Sequence, residues 1–197
     1  DRHTVGLWHL DEASGDATDA SGNSLTGTNT GSTATTGVFS NGRSFDGSGN
    51  KIIVAHSAKF PTVERTVEAW VKITSTTSAD RLLMGEGSEH WFTYDGATWG
   101  CAAGQIGYMV WINSAWSCVS GFTPSLNRWY HIAGTYNGNT IQLYVDGVLI
   151  NKVSNTGSFT PASNSFDIGN YSGGGYGLPI VLDDVRLSNV ARSAEDI

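Results

Sequence analysis

Apolar and polar residues alternate with a period of two in short runs along this chain, and Gly, Asn, Asp and Ser separate the runs. The pattern is clearest over residues 127–153, NRWYHIAGTYNGNTIQLYVDGVLINKV. There Ile141, Leu143 and Val145 alternate with Gln142 and Tyr144, the spacing of a strand with one buried face. Asn137-Gly138-Asn139 and Asp146-Gly147 supply the positive-φ positions that tight hairpins require, so the stretch reads as a three-strand meander. Three strands cannot bury their apolar face alone, and the rest of the chain has to supply a second layer.

Further runs predict strands over residues 5–10, 66–73, 81–87, 165–170 and 180–187, with a strand, turn and strand over 43–54. In the run 66–73, Val67, Ala69, Val71 and Ile73 share one face, and Glu68, Trp70 and Lys72 share the other. Residues 28–37 read as a Thr/Ser/Gly loop without core signal, and 57–61 as a short helical or irregular crossing. Residues 171–177 are glycine-rich and read as a mobile loop; no helix follows them and no phosphate-binding glycine pattern is present. Residues 91–122 read as two or three strands with an inserted loop. There is no internal repeat or linker. The expectation is an all-β fold, a two-sheet antiparallel β-sandwich built as one domain over residues 1–197.

Composition agrees: 25 glycines against 4 prolines suit short strands and frequent turns. A net charge of −7 with only 11 Lys and Arg argues against a nucleic-acid footprint. No run reaches the ~18 apolar residues of a membrane span. The sequence opens at Asp1 without a signal-peptide pattern, so a module of a larger protein is expected. Cys101 and Cys118 enclose 16 residues rich in Gly and Trp. A disulfide between them would contribute about 3 kcal/mol by loop closure and imply an oxidising compartment. The alternative is two separate buried thiols. A zinc site lacks further cysteines and a histidine at ligand spacing.

The aromatic residues add the candidate chemistry. Trp91, Phe92, Tyr94, Trp99, Tyr108, Trp111, Trp116 and Phe122 crowd into one segment, a density well above the 11% of the whole chain. Sugar rings present C–H faces that stack on such side chains, so Trp91, Tyr94, Trp99, Trp111, Trp116 and Tyr176 are candidate ligand-binding residues, joined by Tyr171. Asp95, Gln105 and Asn113 are candidate polar partners for hydroxyls. Sandwich cores also absorb aromatic side chains, so about half of these are expected to be buried. Trp99, Trp116 and Tyr176, beside Gly, Ser or Ala, are the expected exposed ones.

Trp129-x-His131-x-Ala133-x-Thr135-Tyr136, followed by Leu143-Tyr144-Val145-Asp146-Gly147, resembles the central hairpin of laminin G-like domains, which belong to the concanavalin A-like lectin/glucanase jelly rolls. LWHLDEASGDATDASGNSLTG resembles the opening of these modules, FDGSGN an early turn, and LDDVRL the terminal strand. The family commonly has Asp at the positions of Asn50 and Asn137, and the resemblance is weakest over residues 75–125. It implies a jelly roll with Trp70 in the core and a short closing helix at ARSAEDI, with Ser193 as N-cap. It also implies a structural calcium ion held by Asp11, the Gly47 carbonyl and Asp183. Calcium takes roughly six to eight hard oxygen ligands. The alternative is that both carboxylates are satisfied by backbone amides.

Glycoside hydrolysis needs two carboxylates ~5 to 10 Å apart across the scissile bond. The glucanases of this superfamily carry them as Glu-x-Asp-x-x-Glu on one strand, a motif absent here. Glu86 and Glu89 are expected on opposite faces of a strand, and Glu64 and Glu68 lack a matching Asp. The functional expectation is a non-catalytic module for carbohydrate or a cell-surface glycoconjugate, extracellular and either secreted or displayed. An adhesive protein–protein module is the first alternative, and a glycoside hydrolase of the same fold the second.

Overall fold

A computed structural model describes residues 1–157 and 163–197. In chain order its strands begin with β1 (Thr4–Trp8), β2 (Gly27–Thr30), β3 (Thr33–Thr36), β4 (Asn41–Asp46) and β5 (Lys51–Val54). The next are β6 (Arg65–Ile73), β7 (Arg81–Glu86), β8 (His90–Tyr94), β9 (Ile106–Ile112) and β10 (Ala115–Phe122). The expected meander follows as β11 (Trp129–Tyr136), β12 (Thr140–Val145) and β13 (Val148–Ser154), and the chain closes with β14 (Phe166–Ile168) and β15 (Pro179–Ser188).

These strands form two antiparallel sheets packed face to face. One runs β13-β12-β11-β6-β15-β4-β3, with β1 also paired to β15, and the other runs β10-β9-β8-β7-β14-β5-β2. β4 pairs with the first half of β15, from Pro179 to Leu182, and β1 with its second half, from Val185 to Ser188. The change of partner falls at a bulge between Asp183 and Arg186, where Asp184 has φ 48°. This is the two-sheet antiparallel jelly roll expected from the sequence.

The core lies between the sheets and follows the period-two pattern. Val67, Ala69, Val71 and Ile73 of β6 and Ile141, Leu143 and Val145 of β12 all lie in it. Trp8 stacks on Phe166 with centroids 5.4 Å apart, and its indole N–H donates to the Leu25 carbonyl at 2.7 Å.

The structure corrects three local expectations. Residues 28–37 are not a plain loop, because β2 and β3 pair with β5 and β4 and close an edge of each sheet. Their small Thr side chains carry no apolar signal, yet β-branched Thr suits an edge strand. Residues 191–197 form no helix: Ser193 donates its hydroxyl to Asp196 Oδ2 at 2.9 Å within a single turn. So short a segment cannot offset helix nucleation. Trp70 is not in the core, because the alternation that buries Ala69 and Val71 turns it outward. It lies half-buried on the outer face of its sheet, 5.3 Å from the His131 ring and 6.1 Å from Phe39.

Candidate functional site

On β8 and β9 the same alternation sends Phe92, Tyr94, Tyr108 and Val110 inward and leaves Trp91 and Met109 on the outer face. With Leu82 these two make a separate apolar cluster against which Trp99, Trp116 and Cys118 pack. Large apolar side chains on the outside of a sheet require cover. Two loops supply it.

The first loop joins β8 to β9 and carries Trp99 on a single 3-10 turn, Ala97–Trp99. It is tied down by the disulfide Cys101–Cys118, whose Cα atoms are 5.4 Å apart. At its base the Gly104 N–H donates to Asp95 Oδ1 at 2.7 Å. Gly107 lies directly beneath the disulfide, where a Cβ would come within 2.7 Å of the Cys101 sulfur. The second loop joins β14 to β15 and carries Tyr171 and Tyr176. Expected to be mobile, it is held by specific bonds. The Ser172 N–H donates to Asp167 Oδ2 at 2.7 Å, and Lys51 Nζ donates to the Ser172 carbonyl at 2.6 Å. Asn170 donates to the Ser48 carbonyl at 2.9 Å and accepts the Tyr176 N–H at 3.2 Å. Burial raises the pKa of Asp167 against the pull of its hydrogen bonds to Ser165 and Ser172.

Together the loops and the sheet enclose a cavity of about 160 Å³ lined by Leu82, Gly87, Ser88, Trp91, Trp99, Met109, Trp116, Asn164, Tyr171 and Tyr176. Trp99 and Tyr176 face each other with centroids 5.5 Å apart, and Tyr171 stands 6.1 Å from Trp91 and 6.2 Å from Tyr176. Trp91 forms the floor, 1% exposed, with its indole N–H donated to the Gly87 carbonyl at 2.5 Å. Tyr171 and Tyr176 are the open side, 37% and 38% exposed. The result is an aromatic cradle.

Four of the six predicted aromatics, Trp91, Trp99, Trp116 and Tyr176, therefore converge. Trp111 does not line the cavity; it braces Trp116 from the neighbouring strand in an edge-to-face contact at 5.2 Å. Tyr94 points between the sheets and is buried in the main core, because it shares the parity of Phe92. The predicted polar partners Asp95, Gln105 and Asn113 are not among the described residues that line the cavity. Asp95 anchors its own loop, the Gln105 carbonyl accepts the Asp95 N–H at 3.1 Å, and Asn113 donates to the Thr156 carbonyl at 3.2 Å. The polar side chains that sequence reasoning missed are Ser88 and Asn164, and Asn164 Nδ2 is buried without a partner among the described residues. It packs into the space left by the absent side chain of Gly87, which has φ 32°. A lone Asn in a Ser-rich stretch carries no sequence signal of that role.

The residues expected to share a calcium ion do not gather. Asp11 Oδ1 accepts the Asn41 N–H at 3.0 Å, and Asp183 Oδ2 accepts the N–H groups of Val38 and Phe39 at 2.7 and 3.1 Å. Both carboxylates thus serve the turn before β4, whereas Gly47 follows Asp46 at the opposite end of that strand. The five-residue rise between the two ends is about 17 Å. Asp183 retains one buried oxygen, Oδ1, without a partner, and burial raises its pKa. One ion cannot bridge the whole set.

A different carboxylate pair does meet. Glu86 and Glu89, expected on opposite faces, are brought together because the chain reverses at Gly87 and Ser88 between β7 and β8. Ligand atoms of Glu86, Glu89 and His90 lie within 4.8 Å of one another, all buried. Arg65 reaches in from the other sheet, its Nη1 3.3 Å from Glu89 Oε2 and 2.6 Å from His90 Nδ1. The guanidinium supplies a cation to the cluster. Burial, and then Arg65, hold the His90 pKa well below its ordinary value. Burial, and then the charge of Glu89, push Glu86 up to about 9.

The sequence matches the family described as the concanavalin A-like lectin/glucanases superfamily over residues 45–197. The chain belongs to that superfamily. Comparison with curated proteins gives no match. Among solved structures, the binding domain of Paraclostridial Mosquitocidal Protein 1 superposes with a TM-score of 0.78 at 16% identity, over 98% of this chain and 50% of that one. Domain 4 of AbnA, a GH43 extracellular arabinanase from Geobacillus stearothermophilus, solved with arabinotriose, gives 0.75 at 18% identity, over 98% and 96%. Trypanosoma rangeli sialidase, in complex with sialic acid, gives 0.76 at 18% identity, over 100% and 32%. This chain therefore spans half of the first and about a third of the sialidase. At these identities the likeness is one of fold. No helix among the described residues is long and apolar enough to cross a membrane.

Proposed function

We propose that this domain is a non-catalytic carbohydrate-binding module, and that the cradle of Trp91, Trp99, Trp116, Tyr171 and Tyr176 is its site. The observation that carries the reading is the convergence of these rings, from two strands and two loops of separate origin, on one cavity of about 160 Å³. Aromatic faces around a small concavity with few polar groups suit a sugar ring, whose C–H face stacks while its hydroxyls reach the rim. Domain 4 of AbnA, which matches this chain over nearly its whole length, was solved with arabinotriose, and that lends support.

Non-catalytic fits the position of the carboxylates. Glu86 and Glu89 are buried between the sheets beside Arg65, and among the described residues no carboxylate lines the cradle. The Cys101–Cys118 bond supports an oxidising, extracellular setting. Calcium is left out of the proposal, since its expected ligands sit at opposite ends of β4.

The test is a glycan array probed with the native domain and with Trp99→Ala and Trp116→Ala, with and without chelator. Glycan binding that both variants lose while remaining folded supports the reading. A folded native domain that binds no glycan would sink it and leave an adhesive protein–protein module as the better account.

A further inference from the structure

Resting on the reading of the cradle as a sugar site, we infer that its ligand is a neutral sugar, taken one ring at a time, and that Asn164 orients it. Among the described residues, no Asp, Glu, Lys, Arg or His lines the cavity. Residues 158–162, which precede Asn164 in the chain, read Ser-Phe-Thr-Pro-Ala and contain no charged side chain either. The charged groups that flank the site face other partners. Asp167 is engaged by Ser165 and Ser172, Lys51 by the Ser172 carbonyl, and Asp80 by Thr98. A carboxylate or ammonium on the ligand would lose its water and find no opposite charge, a penalty that a hydroxyl escapes.

Size narrows the class further. At about 160 Å³ the cavity is well below the roughly 300–1,000 Å³ usual for drug-sized ligands. Trp99 and Tyr176, in contact with each other at 5.5 Å between centroids, form one side of it from two loops. A cavity of about 160 Å³ suits a single monosaccharide ring. The polar content of the cradle then decides orientation. The Trp91 indole N–H is already donated to the Gly87 carbonyl, whereas Asn164 Nδ2 is buried with no acceptor among the described residues. A ligand hydroxyl or ring oxygen completes that donor, and a ring without an acceptor there leaves it unsatisfied.

Calorimetric titration of the folded domain tests the inference with arabinose, xylose, galactose and glucose on one side, and glucuronic acid, N-acetylneuraminic acid and glucosamine on the other. At least one neutral sugar should bind, with every charged sugar at least tenfold weaker. Asn164→Ala should weaken the neutral sugar about tenfold with its melting temperature kept, and Asn164→Asp more strongly still. A charged sugar that binds as well as the best neutral one overturns the inference while leaving a sugar site standing. So does an Asn164→Ala variant that binds normally. If no sugar on either side binds and the array is also blank, the reading beneath it falls too.

Discussion

Trp99 and Tyr176 stand 5.5 Å apart, ring to ring, although one rides on the β8–β9 loop and the other on the β14–β15 loop. The β14–β15 loop gives the core between the sheets Leu178 and the β8–β9 loop gives it nothing, and both rings stay partly open to solvent. Their contact makes the mouth of the cradle a joint product of two loops that different anchors hold. The disulfide fixes one and Asp167, with Asn170, fixes the other.

Trp99→Ala and Tyr176→Ala should each weaken sugar binding by about 0.5–1.5 kcal/mol, the scale of an aromatic contact. The melting temperature should hardly move, because both rings lie outside the main core. Titration and thermal melts on the same samples check this. Variants that unfold would mark the rings as structural.

Reduction of Cys101–Cys118, or a double Ser variant, should cost about 3 kcal/mol of stability by loop closure. Binding should fall as well, since Trp99 and Trp116 sit on the two segments that the bond joins. Urea melts and titration with and without reductant separate the two effects. Unchanged binding in the reduced, folded protein would show that the loop needs no tether.

Leu143→Ala should destabilise the domain by about 2–5 kcal/mol. Leu143 is fully buried on β12, where it pairs with Gly134 and Asn151. A loss below about 0.5 kcal/mol in chemical denaturation would be incompatible with a closely packed site there.

Glu86 should make stability fall with rising pH. Burial, reinforced by Glu89, raises its pKa from the ordinary 4.5 to about 9, so the native state keeps a proton that the unfolded chain releases across that window. Where the native state binds more protons, unfolding free energy decreases as pH increases, and the slope ends above the folded pKa. Glu86→Gln keeps a neutral side chain in both states and should flatten the slope. Urea melts at about pH 5 and about pH 8 read the difference. Equal slopes in the two proteins would mean that native Glu86 is ionised.

Chelator should leave the melting temperature unchanged. Asp11 and Asp183 are both hydrogen-bonded to the turn before β4, and Gly47 lies beyond the other end of that strand. A drop on chelation that calcium restores would show that Asp183 Oδ1, buried without a partner, completes an ion site with ligands other than Gly47.

What the sequence by itself determined is whatever is written locally. The period of two in Ile141, Leu143 and Val145 and the turn residues at Asn137-Gly138 and Asp146-Gly147 were enough to place β11, β12 and β13. Side-chain parity along a strand depends only on the strand, so it also foretold that Glu68, Trp70 and Lys72 share a face. Parity does not say which face is covered; the family resemblance, not parity, placed Trp70 in the core, and the aromatic excess placed Tyr94 at the ligand. Those assignments were decided by the packing of the two sheets, which encloses Ala69 of one and Phe92 of the other and leaves Trp70 and Trp91 on their outer faces. The same holds for Glu86 and Glu89, where the reversal between β7 and β8 overrides the strand spacing. The cradle lies furthest from local information. Its aromatic excess was legible between residues 91 and 122, but its second wall, Tyr171 and Tyr176, and its polar donor, Asn164, come from segments distant in sequence. Only the packing of β14 against β7 brings those segments to the face that carries Trp91, because contacts between distant residues are set by which strands pair and not by what any one strand contains.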